Sequence, residues 1–179
     1  MISRGVCGIL RFGRRFFTRR VTAKESMTSA STPTARWLPP GLDSFGRVWD
    51  LRTGRCVMFL EGHLKEIYSL HFSPNGHHLA TGSGDNTCKV WELRNRKCLY
   101  TVPAHQNLVS AVRFQPTDGH FLLTGAYDNT AKVWSHPGWT PLKTLAGHEG
   151  KVMGVDVSPD GKLIATSSYD RTFKLWLTE

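Results

Sequence analysis

The sequence lacks the features that define several classes of protein. No apolar run approaches the roughly 18 residues that a membrane-spanning helix requires, so no contact with a membrane is predicted. The four cysteines, Cys7, Cys56, Cys88 and Cys98, include no Cys-x-x-Cys pair and no spacing suited to zinc. Cys56 and Cys98 occupy equivalent places in a repeat described below, which disfavours a disulfide between them. This pattern favours a reducing compartment.

A phosphate-binding loop is also missing. The segment Thr81–Asp85 is rich in glycine but lacks the Lys followed by Ser or Thr that a P-loop needs. The adjacent His77 and His78 lie beside a turn signal without acidic or thiol partners, so we interpret them as surface residues rather than as a metal site. The sequence therefore predicts no catalytic residue, no cofactor, no metal ion and no small-molecule substrate.

Acidic residues are scarce near the amino terminus. The first 36 positions hold seven Arg and one Lys against a single Glu, which is +7 of the net charge of +9, and the other 143 residues carry only +2. Residues 1–40 form a basic, Ser/Thr-rich segment that we predict to be disordered, with a mitochondrial presequence as the alternative. The nearly neutral remainder gives little support to a basic face for nucleic acid.

A repeat organises the rest of the chain. Tryptophans recur at intervals of 42, 43 and 42 residues, and an aspartate stands six residues before each of them. In the last three units a threonine lies ten residues before the tryptophan, and a histidine lies 22 or 23 residues before the aspartate. A period of about 40 to 45 residues is typical of a β-propeller blade. The sets are Asp43 and Trp49; His63, Thr81, Asp85 and Trp91; His105, Thr124, Asp128 and Trp134; and His148, Thr166, Asp170 and Trp176.

Each unit contains short segments rich in Val, Ile, Leu, Phe and Thr that are bounded by turn residues, a pattern typical of β-strands. We predict four strands per blade, lettered a to d from the inside of the propeller. Strand a is predicted at Ile67–Phe72, Val109–Phe114 and Val152–Val157. The predicted fold of residues 41–179 is a partial propeller of two complete blades, preceded by a c–d pair and followed by an a–b–c trio, with thirteen strands.

A hydroxyl, a histidine and an aspartate brought together also suggest nucleophilic catalysis. That chemistry needs one site with an oxyanion hole, whereas here the trio recurs three times beside a tryptophan. We therefore interpret each set as a buried chain of hydrogen bonds that runs from Trp through Thr and His to Asp and satisfies the polar groups inside a blade.

These repeated sets resemble the structural tetrads of the WD40 β-propeller family, and the resemblance extends from about Gly41 to the end of the chain. It implies an all-β fold and assigns a structural role to the twelve residues of the last three sets. The sequence departs from the family pattern in two places. Ala104 replaces the glycine before His105, and only Trp49-Asp50 keeps the literal Trp-Asp pair.

Four runs resemble more narrowly the last repeats of WD40 subunits of the U4/U6 small nuclear ribonucleoprotein: Glu61–Tyr68, Thr81–Trp91, Gly125–Thr130 and His136–His148. This resemblance implies a nuclear, non-enzymatic scaffold in the U4/U6 and U4/U6·U5 particles of pre-mRNA splicing. The implied partners are protein subunits of these particles, including a cyclophilin and a companion processing factor, with indirect association with U4/U6 snRNA.

The predicted binding surface is the rim of the propeller where the d–a and b–c loops emerge. Tyr127 and Tyr169 each precede a tetrad aspartate, and Lys65, Asn107 and Glu149 follow the histidines. Because exposed aromatic residues often anchor interfaces, these five are candidate partner-binding residues. Three functions stay open: a protein scaffold in a ribonucleoprotein, a propeller that binds RNA directly, and a generic WD40 adaptor that carries a mitochondrial presequence.

Overall fold

The computed structural model describes residues 9–10, 16–18, 44–50 and 53–177 of the chain. The fold is all-β, as predicted, and no described residue belongs to a helix that could cross a membrane. The strands are β1 (Ile9–Leu10), β2 (Phe16–Thr18), β3 (Gly46–Asp50), β4 (Arg55–Leu60), β5 (Ile67–Phe72), β6 (His78–Ser83), β7 (Cys88–Glu92), β8 (Lys97–Val102), β9 (Val109–Phe114), β10 (Phe121–Ala126), β11 (Ala131–Ser135), β12 (Pro141–Leu145), β13 (Val152–Val157), β14 (Leu163–Ser168) and β15 (Phe173–Leu177).

The strands form four antiparallel sheets in chain order. We call β1–β4 the leading sheet, β5–β8 the first blade, β9–β12 the second blade and β13–β15 the trailing sheet. The thirteen strands from β3 onward agree in number and order with the prediction, and β5, β9 and β13 have the bounds predicted for strand a. Segments rich in β-branched residues, each bounded by turn residues, were sufficient to predict these strands.

The leading sheet contains two strands that the repeat did not predict. β2 pairs with β3, where Phe17 is the partner of Trp49, and β1 pairs with β2. Without β2, strand β3 would present an unpaired edge. The two successive prolines at positions 39 and 40 cannot donate ladder hydrogen bonds, whereas Phe16–Thr18 can. The rest of residues 1–40, for which disorder is predicted, lies outside the described residues, and so does Asp43.

The hydrophobic core lies between neighbouring sheets. Three clusters of buried side chains bridge successive pairs of sheets from the leading sheet to the trailing sheet. Leu60 and Leu79 belong to the first cluster, Val90 and Phe114 to the second, and Leu123 and Val155 to the third. The first cluster consists of Val48, Met58, Leu60, Phe72, Leu79 and Trp91, and the second of Ala80, Cys88, Val90, Val102, Ala104, Val109, Val112, Phe114, Leu122, Trp134 and Trp139. The third consists of Ala111, Leu123, Ala131, Val133, Leu145, Val152, Val155 and Ile164. Each sheet is therefore stabilised by the face of the next one.

Candidate functional site

The four recurring residues of the first blade lie within hydrogen-bonding distance of one another. His63 lies in the loop before β5, Thr81 on β6, Asp85 in the β6–β7 turn and Trp91 on β7. The Trp91 indole N–H donates to Thr81 Oγ1 at 2.9 Å, and Thr81 Oγ1 lies 2.8 Å from His63 Nε2. His63 Nδ1 lies 2.9 Å from Asp85 Oδ2. The result is one continuous polar chain through the interior of the sheet.

The same geometry recurs in the next two sheets. In the second blade the distances are 2.9 Å for Trp134 to Thr124, 2.8 Å for Thr124 to His105 and 2.8 Å for His105 to Asp128. In the trailing sheet the corresponding distances are 3.0, 2.8 and 3.0 Å; the residues are Trp176, Thr166, His148 and Asp170.

The direction of the hydrogen bonds follows from the chemistry of the end groups. An indole N–H can only donate and an ionised carboxylate can only accept. Each threonine hydroxyl therefore accepts from tryptophan and donates to Nε2, and Nδ1–H of a neutral histidine donates to aspartate. Burial lowers the pKa of His63 and His105, against the opposing effect of the neighbouring carboxylates, and this favours the neutral imidazole.

The aspartates are ionised because several donors converge on them. Burial alone would raise the pKa of Asp85, but hydrogen bonds from Thr87, His63 and the Leu64 N–H outweigh it and lower the pKa to about 2. The pKa of Asp128 is lowered in the same way.

The sequence analysis missed one member of each network. Thr87 Oγ1 donates to Asp85 Oδ1 at 2.7 Å, and Thr130 and Thr172 donate to Asp128 and Asp170 at the same distance. The sequence did contain a signal for these threonines, because a threonine stands two residues after the aspartate in each of the three units that have a full tetrad. A side chain that bonds its own turn in this way fixes the b–c turn.

The buried networks leave no accessible nucleophile among their members. Thr81, Thr124 and Thr166 are at most 1% exposed, and each hydroxyl already contacts a tryptophan and a histidine. A substrate would have to enter a packed sheet to reach them. Among the described residues no group of three or more His, Cys, Asp or Glu side chains is arranged to hold a metal ion.

Three of the four thiols lie among the described residues. Cys56, Cys88 and Cys98 are free, and burial raises the pKa of Cys88 to about 12, so this thiol stays protonated at neutral pH.

A continuous edge of loops surrounds the aspartate ends of the networks. We call it the loop rim; it consists of the d–a loops 61–66, 103–108 and 146–151 and the b–c turns 84–87, 127–130 and 169–172. Neighbouring sheets are bonded along it. The His105 N–H donates to the Asn86 carbonyl at 3.2 Å, and Asn129 Nδ2 donates to the Glu149 carbonyl at 3.4 Å. The rim therefore presents one surface built from successive units.

The five candidate partner-binding residues lie on the loop rim. Tyr169 is 74% exposed, and Tyr127 is half-buried with Lys151 Nζ 4.8 Å from its ring centroid. In the first blade Gly84 takes the matching place, where the Tyr68 ring comes within 3.1 Å of the position that a Cβ would occupy. Lys65, Asn107 and Glu149 are exposed as well. The two tyrosines thus differ in accessibility although their sequence positions are equivalent.

The sheets, their stacking and the recurring polar networks define a propeller-type repeat protein. The family model described as WD domain, G-beta repeat, matches residues 54–92, 96–135 and 139–176. Because these matches cover more than half of the chain, the protein belongs to the WD40 repeat family.

Three relatives show which WD40 proteins the chain is similar to. A 30-residue stretch is 79% identical to the U4/U6 small nuclear ribonucleoprotein Prp4 of Homo sapiens and covers 17% of this chain and 6% of that protein. Over 79 residues the chain is 33% identical to a guanine nucleotide-binding protein subunit beta of Zea mays, with 44% of this chain and 21% of the relative covered. Over 57 residues it is 42% identical to Mitochondrial division protein 1 of Neurospora crassa, with 32% and 8% covered. Each match therefore spans less than a quarter of the relative.

Proposed function

We propose that this chain is a non-enzymatic scaffold that binds protein subunits of the U4/U6 small nuclear ribonucleoprotein through the loop rim. The observation that carries the proposal is the 79% identity to Prp4 over 30 residues, against 33% and 42% over longer stretches of the two other relatives. In this proposal residues 41–179 form the repeat domain, the three tetrads stabilise it, and the protein acts in the nucleus.

The charge of the loop rim supports a protein partner over RNA. Its loops and turns hold six acidic residues, Glu61, Glu66, Asp85, Asp128, Glu149 and Asp170, against Lys65, Lys151 and Arg171. A surface that binds the phosphate backbone needs an excess of Lys and Arg. The three aspartates are largely buried in the tetrads, so the exposed rim is close to neutral, and a mixed rim with an exposed tyrosine is instead typical of protein recognition.

Tyr169 and Tyr127 are the proposed anchors on this surface. Tyr169 exposes most of its ring, so binding would bury a large apolar area together with its hydroxyl. Lys151 packs against Tyr127 from the neighbouring sheet, which fixes that ring before a partner arrives. Pre-fixed aromatic side chains lose little conformational entropy on binding.

Binding of purified U4/U6 proteins to the full chain tests the proposal. We expect replacement of both tyrosines by alanine to weaken binding at least tenfold, since an aromatic anchor contributes about 2 kcal/mol or more. Tyr100 offers a matched control because it is 44% exposed on β8, the outer strand of the first blade, and Tyr100→Ala should leave binding unchanged. The melting temperatures of all variants would be measured alongside.

Three results would contradict the proposal. Unchanged binding of the U4/U6 proteins by the double variant would move the interface away from the tyrosines. Binding of naked U4/U6 RNA with a steep salt dependence, in the absence of the proteins, would favour a direct RNA binder instead. Accumulation of the full chain in mitochondria would favour the adaptor with a presequence.

A further inference from the structure

Two histidines from different blades meet at the end of the strands opposite to the loop rim. His78 is the first residue of β6, and His136 follows the last residue of β11. His136 Nε2 lies 3.3 Å from His78 Nδ1, although the two residues are 58 positions apart. Both side chains are half-buried. The contact joins the first blade to the second.

The relative placement of the two rings fits a shared metal ion. Two imidazoles that bind one tetrahedral ion at 2.0–2.1 Å place their coordinating nitrogens about 3.3 Å apart and their ring centroids about 5.2 Å apart. The observed values are 3.3 Å for the nitrogens and 5.1 Å for the centroids. A straight N–H···N hydrogen bond with the same nitrogen separation would hold the centroids about 5.6 Å apart. A bent hydrogen bond between the two rings has the same separations, so a bound ion would take the place of that hydrogen bond without moving the rings apart.

Surrounding aromatic rings hold both imidazoles in place. The His136 centroid lies 4.8 Å from that of Trp139, which is only 7% exposed, and 6.1 Å from that of Phe114. The Trp139 ring also contacts His78 at a centroid distance of 6.4 Å. The backbone of His136 is fixed by its N–H, which donates to the His120 carbonyl at 2.8 Å. A ligand pair fixed in this way loses little entropy when an ion binds.

The charges near the pair permit a cation. Glu92 is the register partner of His78 across β6 and β7, which places a carboxylate on the strand next to the pair. The nearby cation is directed elsewhere, because Arg94 lies 3.2 Å from His77 Nε2. At pH 7.5 an ordinary imidazole is mostly neutral and offers its lone pair.

We propose that His78 and His136 form a two-imidazole site for a first-row transition-metal ion such as Zn²⁺, which links the first and second blades. Water would fill the remaining coordination positions, since both histidines are only half-buried and no third His, Cys, Asp or Glu of the described residues joins them. Imidazole nitrogen is a good ligand for Zn²⁺, Ni²⁺ and Cu²⁺, and calcium and magnesium prefer oxygen. The site should therefore distinguish these two groups of ions.

Titration of the full, tag-free chain with Zn²⁺ and Co²⁺ tests this site. We expect one saturable equivalent of Zn²⁺ and a rise in melting temperature with zinc concentration. His78→Gln or His136→Gln should each weaken binding at least tenfold, and the double variant should bind no stoichiometric ion. His77→Gln and His120→Gln are the matched controls, because these histidines contact Arg94 and Asp118 instead, and both should retain the affinity.

The proposal would be overturned by a double variant that still binds one equivalent, or by control variants that weaken binding as much as His78→Gln. A thiolate-to-cobalt charge-transfer band would also overturn it, because it would place the ion on cysteine. If the substitutions prevent folding, nitrogen NMR of the unaltered chain gives an independent result. Zinc should then shift the imidazole resonances of His78 and His136, and unshifted resonances would exclude the site.

Discussion

The second blade and the trailing sheet each contain a polar network of the same geometry, but their faces differ in how far neighbouring sheets cover them. Val133 on β11 is 9% exposed, whereas Leu175, at the same place on β15, is 61% exposed. Ala131 and Phe173 differ in the same direction, at 1% and 74%. The hydrogen-bond distances of the two tetrads nevertheless agree within 0.2 Å. The polar network thus belongs to each sheet, while apolar burial depends on the neighbouring sheet.

The largest test of this comparison is a side chain added between two covered sheets. A Cβ at Gly125 would lie 2.6 Å from Val155 Cγ1 and 2.9 Å from Val152 Cγ1. Gly125→Val should therefore lower the free energy of unfolding by about 3 kcal/mol through overpacking. Ser167 holds the equivalent place on β14 and is exposed, so Ser167→Val should change it by less than about 0.5 kcal/mol. Urea melts measure both values, and equal losses would mean that the interface between sheets does not determine stability.

Acid should reveal a second difference between covered and open strands. Burial, helped by the nearby charge of Arg113, lowers the pKa of His71 on β5 to about 4, and this imidazole accepts the Phe114 N–H at 3.1 Å across the sheet interface. The unfolded chain, with a histidine pKa near 6.5, binds the proton first. Stability should therefore be complete above about pH 6.5 and fall by about 2–3 kcal/mol as the pH drops towards 4.

A His71→Gln variant isolates this contribution. Arg113 on β9 and Asp156 on β13 occupy the equivalent places and are the charged groups that face the imidazole. The variant lacks the imidazole whose pKa differs between the folded and unfolded chain, so it should show a shallower loss of stability between pH 6.5 and 4.5. Identical pH profiles for the two chains would assign the acid sensitivity to other groups.

The strands and tetrads of the repeats could be predicted from the sequence because the same turn residues and the same spacing of polar residues recur in each unit. Turn residues bound β5, β9 and β13 at the predicted ends, and the predicted tetrads, read from the spacing of Trp, Asp, Thr and His, lie within hydrogen-bonding distance. Thr87 and its two equivalents were as regular, and they were missed only because a threonine beside a turn has several common roles.

The contacts between blades could not be predicted from spacing within a repeat. His78 and His136 stand at unrelated positions of their repeats and meet only because the c–d turn of the second blade reaches the first blade. Lys151 lies over Tyr127 because the d–a loop before the trailing sheet meets the b–c turn of the second blade. No repeat signal indicates that Phe16–Thr18 pairs with β3, because residues 16–18 lie outside the periodic part of the chain. These contacts depend on how sheets stack, which a periodic pattern does not encode.

Loss of a tetrad carboxylate should have a smaller effect. Asp128→Ala removes the acceptor of the His105 and Thr130 hydrogen bonds and leaves a buried imidazole N–H unpaired, at a cost of about 1–2 kcal/mol. Asp170→Ala should cost less, because water can reach the network more easily from the open face of the trailing sheet. Thermal melts measure both losses. If Asp128→Ala kept full stability yet abolished partner binding, the network would be a binding site rather than a structural element.

The smallest effect on folding is expected on the open face itself, where the effect on association should be large. Phe173, Leu175 and Leu177 point to the same side of β15 and are between 61% and 74% exposed. Exposed apolar patches of this kind favour association, so we expect the chain to self-associate through this face. Leu175→Lys should change the unfolding free energy of one chain by less than about 0.5 kcal/mol but shift the light-scattering mass towards the monomer. Leu142→Lys on β12 is the matched control, since Leu142 is 59% exposed on an outer strand, and it should leave the mass unchanged. A chain that is already a stable monomer before substitution would contradict this expectation, because the apolar face of the trailing sheet would then remain exposed to water without causing association.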